Sequence, residues 1–245
     1  MLPAAIPDGR PPTVDLRQVI NGILYILCTG CAWRYLPKDY PNGKTVYHYF
    51  AQWRDDGTWH QVHERLRQWT RTRMGPFPYP SLAVADSQSV PTAPMINQSV
   101  GYDGAKKVKG RKRHLLVDSL GLVLAVVITA ANISEGAGLK LLLNETKARQ
   151  VNVERLDTVV VDGGYQGEAL VRWVMDTWGW ILDKVLRPAQ AKGFVLVLKR
   201  WVVERSFGWF RWCRRLSRDY EYSPQSAESW VYIASIRLLL RRLTS

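Results

Sequence analysis

The first third of the chain alternates apolar and polar positions at helical spacing. From Asp15 to Cys28, Leu16, Val19, Ile20, Ile23, Leu24 and Leu27 recur on one face, and Thr29-Gly30 closes the segment. Trp33 to Pro37 and Tyr40 to Gly43 are rich in turn formers. Thr45 is a suitable cap for a second helix carrying Val46, Tyr49, Phe50 and Trp53 inward. After the turn Asp55-Asp56-Gly57, Thr58 opens a third helix. Its pattern puts Trp59, Val62, Leu66 and Trp69 inside and Arg65, Arg67, Arg71 and Arg73 outside. Met74 to Pro80 holds three prolines and marks a boundary.

Beyond that boundary the period shortens. Leu82 to Ala85 predicts a short buried strand ending in Asp86, followed by an irregular polar stretch from Ser87 to Gly104. A basic run, Lys106 to Arg113, leads into a strand over His114 to Asp118. Ser119-Leu120-Gly121 is the hairpin turn and Leu122 to Thr129 the return strand. Gly138 to Arg149 predicts a helix, Leu156 to Val161 a buried strand ending in Asp162-Gly163-Gly164, and Tyr165 to Trp178 a helix. Trp180 to Val185 predicts a strand, Arg200 to Arg215 a helix, and Ser226 to Arg242 an apolar and basic helix. This order suits an α/β domain, a mixed sheet with helices on both faces, preceded by a small all-α module with a helix-turn-helix-like turn. The division expected is 1–75 for the helical part and 81–245 for the α/β part.

Composition changes the picture in one respect. The 245 residues carry a net charge of +13, with the basic residues clustered, which favours a polyanionic partner, most simply nucleic acid. Cys28 and Cys31 form a C-x-x-C with no second pair, so zinc or redox use has little support, and three cysteines fit a reducing compartment. The N-terminus shows no signal-peptide pattern, and the longest apolar run, Leu115 to Thr129, is interrupted by Asp118, Ser119 and Gly121. A cytoplasmic, nucleoid-associated protein with no membrane contact is expected.

Candidate chemistry lies in three acids. Wound as a helix, Lys199 to Leu216 puts Arg200, Glu204, Gly208, Arg211 and Arg215 on one stripe and Val202, Trp209, Phe210, Cys213 and Leu216 on the other side. A lone carboxylate among arginines suits an acid that holds a cation beside phosphate. Asp86 and Asp162 each close a buried strand, and strand ends meeting at one sheet edge bring such carboxylates together. A strand-end aspartate is more often a turn residue, as assigned to Asp118 and Asp157. The three together are more specific, and they are hard oxygen ligands for Mg2+ or Mn2+.

The motifs resemble those of DDE transposases of bacterial insertion sequences, of the insertion-sequence-five-like group. Thr29 to Pro37 and Thr45-Val46-Tyr47 resemble the group's N-terminal helical domain. Asp86-Ser87-Gln88-Ser89-Val90 resembles its first catalytic block, and Lys109-Gly110-Arg111-Lys112-Arg113-His114 the strand that follows. Asp162-Gly163-Gly164-Tyr165-Gln166-Gly167 resembles the second block. Arg200-Trp201-Val202-Val203-Glu204-Arg205, with Arg211, resembles the third, whose tyrosine position holds Val197. Asn132-Ile133-Ser134-Glu135 departs from the group's His- and Asp-containing loop.

The resemblance implies a ribonuclease-H-like catalytic domain with Asp86, Asp162 and Glu204 as a metal-binding triad, Mg2+ as cofactor and Mn2+ as substitute. The expected activity is cleavage of the element's DNA ends followed by attack of the freed 3′-hydroxyl on target DNA. Lys107, Lys109, Arg111, Lys112, Arg113, Arg200, Arg211 and Arg215 are expected to contact DNA. The N-terminal helices are expected to help recognise terminal inverted repeats, and synapsis of two ends implies a homodimer or larger assembly. Two alternatives stay open: a nuclease of the same fold without strand transfer, and a catalytically silent DNA-binding repressor.

Overall fold

The computed structural model describes residues 14–75, 77–185 and 200–244; the N-terminal arm and the Val197 position lie outside the described residues. Three helices come first: α1 (Leu16–Thr29), α2 (Gly43–Asp55) and α3 (Thr58–Met74). Asp15 caps α1 by accepting from the Arg17 amide at 2.8 Å, and Gly30 ends it in the left-handed region at φ 73°. α2 begins before the expected Thr45, because the Asn42 side chain already accepts from the Lys44 amide at 2.9 Å. Thr58 starts α3 without capping it; Gly57 takes the cap position at φ 77°.

The sheet contains β1 (Leu82–Pro91), β2 (Gly101–Asp103), β3 (Val108–Asp118), β4 (Val123–Ala130), β5 (Thr158–Val161) and β6 (Ile181–Lys184). β3 pairs antiparallel with β1 along one edge and with β2 and β4 along the other. β1, β5 and β6 run parallel. With β1 central, antiparallel neighbours to one side and parallel ones to the other, this is the expected ribonuclease-H-like arrangement. β2 lies in the stretch expected to be irregular, and two strand boundaries also differ from expectation. β1 continues through Asp86 to Pro91, because Ser87 to Pro91 keep pairing with β3, so Asp86 lies within the strand. The basic residues from Lys109 to Arg113 belong to β3 itself, as their resemblance to a strand implies, rather than leading into it.

Alternation divides the sheet faces. Ala83, Ala85, Leu116, Val159 and Val161 pack against α4 (Glu135–Ala148) and α5 (Glu168–Trp178) through Leu139, Leu142, Leu170 and Val174. Val84, Leu115, Val117, Val126 and Val160 face the other way, toward α6 (Trp201–Phe210) and α7 (Pro224–Thr244). α6 is shorter than the expected helix: it ends at Phe210, and a 3₁₀ turn, Arg214–Leu216, follows.

The hydrophobic core does not divide at residues 75–81. One cluster of buried side chains runs from Val19, Ile23, Phe50 and Leu66 through Trp230 and Ile233 to Val203, Phe207 and Val84. α3 lies along α7, and this reverses two sequence assignments. Arg67 is fully buried and paired with Glu64 at 2.5 Å, while Trp69 points outward at 56% exposure. Two arginines expected to be free are used as tethers: Arg71 pairs with the buried Asp118 at 2.6 Å, and Arg73 donates to the Leu243 carbonyl. Among the described residues no helix is long and apolar enough to cross a membrane.

Candidate active site

Asp86 and Asp162 meet through strand register. β1 and β5 pair Leu82 with Thr158, Ala83 with Val159 and Val84 with Val160. Continued by two residues, that register sets Asp86 beside Asp162, just past the end of β5. Both share the face of Val84 and Val160, the face covered by α6. The Asp86 carboxylate accepts from the Ser87 amide at 2.7 Å, and Asp162 accepts from the Gly164 amide at 2.8 Å.

α6 brings Glu204 to this edge. The helix is fixed to the β3–β4 turn by Ser206, whose hydroxyl donates to the Gly121 carbonyl at 3.0 Å, and by Arg205, which donates to the Leu120 carbonyl at 3.0 Å. The Arg205 guanidinium is also held between the Trp201 and Trp209 rings. Arg200 links the acids: its Nη2 lies 3.5 Å from Asp162 Oδ2 and 3.3 Å from Glu204 Oε1. A guanidinium thus occupies the space between two of the three candidate ligands. Among the described residues no three His, Cys, Asp or Glu side chains come close enough together to hold a metal ion. The donor set is nonetheless of the kind a hard divalent cation takes, and a cationic group already bridges two of its members.

A fourth acid, unassigned from the sequence, completes the edge. Glu135 is the first residue of α4, which starts earlier than expected because Ser134 caps it by accepting from the Ala137 amide. Glu135 Oε1 accepts from the Ser87 hydroxyl at 3.2 Å. Its Oε2 lies 2.0 Å from where a Cβ on Gly164 would stand, and Asp162 Oδ1 lies 3.0 Å from the same point. Ser134 as a helix start was the available signal; it would have moved Glu135 from a loop to the first turn of α4.

The electrostatics follow from this crowding. Burial, reinforced by the Asp162 charge, pushes the Asp86 carboxyl up to about 6, although the Ser87 amide, Arg200 and Lys106 oppose the shift. Tyr165 is buried beside Asp86, Glu135 and Asp162. Its phenol is held well above its ordinary value, first by desolvation and then by those charges.

The basic residues separate into two groups. Arg111, Lys112 and Arg113, expected to contact DNA, are buried with partners inside the protein. Arg111 pairs with Asp219 at 3.3 Å and donates to the carbonyls of Gln98, Glu221 and Tyr222. Lys112 donates to the Ile133 carbonyl and lies 3.5 Å from Asp103, and Arg113 donates to the Leu216 carbonyl. Arg215 is committed to Glu221 at 2.6 Å, because α6 stops before reaching it. These four are internal struts, not surface cations. Lys107, Lys109 and Arg211 are exposed, and Arg200 stands among the acids.

Comparison with known proteins is consistent with this geometry. Residues 79–239 match the family model described as "Transposase DDE domain", and residues 1–63 match "Putative transposase of IS4/5 family". Over 121 residues the chain is 31% identical to the "Putative transposase for insertion sequence element IS402" of Burkholderia cepacia, covering 46% of this chain and 54% of that protein. The match therefore spans about half the length of that relative. The structure titled "Crystal structure of a pre-cleavage Mos1 transpososome" aligns with 98% of this chain and 80% of its own, at a TM-score of 0.33 and 11% identity, too loosely to bear on the chemistry.

Proposed function

Because the chain belongs to the DDE transposase family, we propose that it cuts DNA at the ends of an insertion element and joins the freed ends to target DNA. Asp86, Asp162 and Glu204 would hold the divalent cations, Mg2+ by preference and Mn2+ as substitute. When bound, such cations would supply activation of the attacking oxygen and offset the negative charge on the oxygens of the reacting phosphate. The chain's own residues set the geometry. Asp86 and Asp162 come from neighbouring parallel strands of a rigid sheet, so their spacing is fixed before substrate arrives. Arg200 keeps Glu204 near the pair and neutralises part of its charge. Arg200 would be the group released by Asp162 or Glu204 when those carboxylates hold a cation, and its guanidinium could then take a phosphate oxygen.

In the first step water attacks a phosphodiester bond, leaving a 3′-hydroxyl and a 5′-phosphate. In the second, that 3′-hydroxyl loses its proton and attacks a target phosphorus, a new P–O bond forms, and a target 3′-hydroxyl is released. Lys107, Lys109 and Arg211 would grip DNA phosphates, and the N-terminal helices would contribute to terminal-repeat recognition. Synapsis of two ends calls for a homodimer or larger assembly, acting on DNA in the bacterial cytoplasm.

The observation that carries this reading is the in-register Asp86–Asp162 pair with Glu204 tethered to it through Arg200. The test supplies a pre-cleaved element end and a supercoiled plasmid with Mg2+. Joined end–plasmid product is expected. Nicks without joining would indicate a nuclease. DNA binding with no metal-dependent product would indicate a repressor.

A further inference from the structure

Glu135 reaches the site from the side opposite α6. Glu204 arrives on the face of Val84 and Val160, whereas α4 packs on the face of Ala85 and Val161. Where β5 ends beside the middle of β1, the Glu135 carboxylate turns over the edge. One oxygen accepts from Ser87, the residue after Asp86, and the other stands over Gly164, two residues after Asp162. Glu135 therefore spans the two segments that carry the aspartates, the middle of β1 and the end of β5. A side chain at 164 would displace this carboxylate, because its Cβ would stand 2.0 Å from Glu135 Oε2. Against the four acids stand Arg200, shared by Asp162 and Glu204, and Lys106, whose ammonium donates to the Ser87 carbonyl at 3.0 Å. The added acid raises the negative charge at this edge beyond what those two cations offset.

We propose that Glu135 is a positioning residue of the reaction: it fixes the Asp86–Asp162 spacing through Ser87 and Gly164 and strengthens divalent-cation binding at that pair. This rests on the assignment of Asp86, Asp162 and Glu204 as metal ligands. Partners that orient metal ligands typically change affinity by about 10–100-fold when removed. Glu135→Gln keeps the shape and an oxygen for Ser87 but loses the charge, Glu135→Ala loses both, and Glu135→Asp keeps the charge on a shorter arm.

The experiment measures Mn2+ binding to the DNA-free protein by electron paramagnetic resonance and Mn2+-dependent cleavage of an element-end duplex, with circular dichroism to confirm folding. Asp162→Asn runs in parallel. Glu135→Gln should weaken Mn2+ binding by about tenfold or more and raise the Mn2+ needed for half-maximal cleavage correspondingly. Glu135→Asp should recover part of the loss. Gly164→Ala should also weaken binding, and combination with Glu135→Ala should add little, because the clash and its partner go together. Parental Mn2+ affinity and cleavage in folded Glu135→Gln, with Asp162→Asn defective, would overturn this inference alone. Parental behaviour of Asp162→Asn as well would overturn the ligand assignment beneath it.

Discussion

A charged side chain's role here depends on what surrounds it. Lys109 and Arg111 are two residues apart on one strand, yet Lys109 is exposed while Arg111 is fully buried between Asp219 and three backbone carbonyls. Substitution should separate them. Lys107→Gln and Lys109→Gln should each weaken DNA binding and lower the slope of log affinity against log salt by about 0.9 for each phosphate no longer neutralised. Arg111→Met should leave that slope unchanged but cost about 3 kcal/mol of stability, because Asp219 is left buried without its partner. A lowered slope with full stability in Arg111→Met would contradict the assignment. That Asp86, Asp162 and Glu204 lie near one another was legible in the sequence because each stands in a distinct pattern: at the end of an apolar run, at a strand end followed by two glycines, and inside an arginine stripe. The burial of Arg111 was not legible, since Tyr222 and Asp219 lie more than a hundred positions away along the chain and the local pattern shows only a basic run.

Among the elements, α6 does most to assemble the site, and its sequence pattern overstates its length. The stripe through Arg211 and Arg215 requires a helix that continues past Phe210, whereas the chain turns there and reaches Leu216 in a second short turn. Helical periodicity alone could not locate that break, because Cys213 and Leu216 are buried in the turn just as they would be on a helix. The apolar pattern understates β1 for the converse reason. Ser87 to Pro91 lack an apolar pattern, but the long β3 supplies pairing partners up to Gly110. Within α6, Gly208 sits one turn beyond Glu204, and a side chain there would meet nothing within 4 Å. Replacing glycine inside a helix gains up to about 1 kcal/mol of helix propensity, so Gly208→Leu should melt no lower than the parent. The same leucine would fill open space beside Glu204, where DNA is proposed to lie. Cleavage should then fall on the order of tenfold. Parental cleavage would place the DNA path elsewhere.

At the scale of the whole molecule, the helical module and the α/β unit share one core, joined by α7 and by Arg71 on Asp118. The proline-rich stretch marks a change of structural class along the chain, but apolar patterns do not reveal which faces meet, so a shared core was not legible. The buried histidines tie stability to pH. Burial holds His60, His63 and His114 down to about 4, 3 and 4, so between about pH 6.5 and 4 the unfolded chain binds protons that the folded one refuses. Stability is therefore lost as pH falls through that window. Asp86 and Glu228, raised by burial to about 6 and 7, bind protons in the folded state and act in the opposite direction. The three imidazoles are displaced further in total, so the metal-free protein should melt lower at pH 4.5 than at pH 7; a melting temperature that stays level or rises on acidification would contradict this. Asp86, Asp162 and Glu204 acting as one cation-holding centre for DNA cleavage is the proposal on which the rest depends. It is tested most directly by the rate at which Asp162→Asn cleaves a labelled element-end duplex in Mg2+, with DNA affinity measured alongside. DNA binding should be retained and the rate reduced by about a thousandfold or more, as when several kcal/mol of transition-state stabilisation is removed. Cleavage at the parental rate would contradict it.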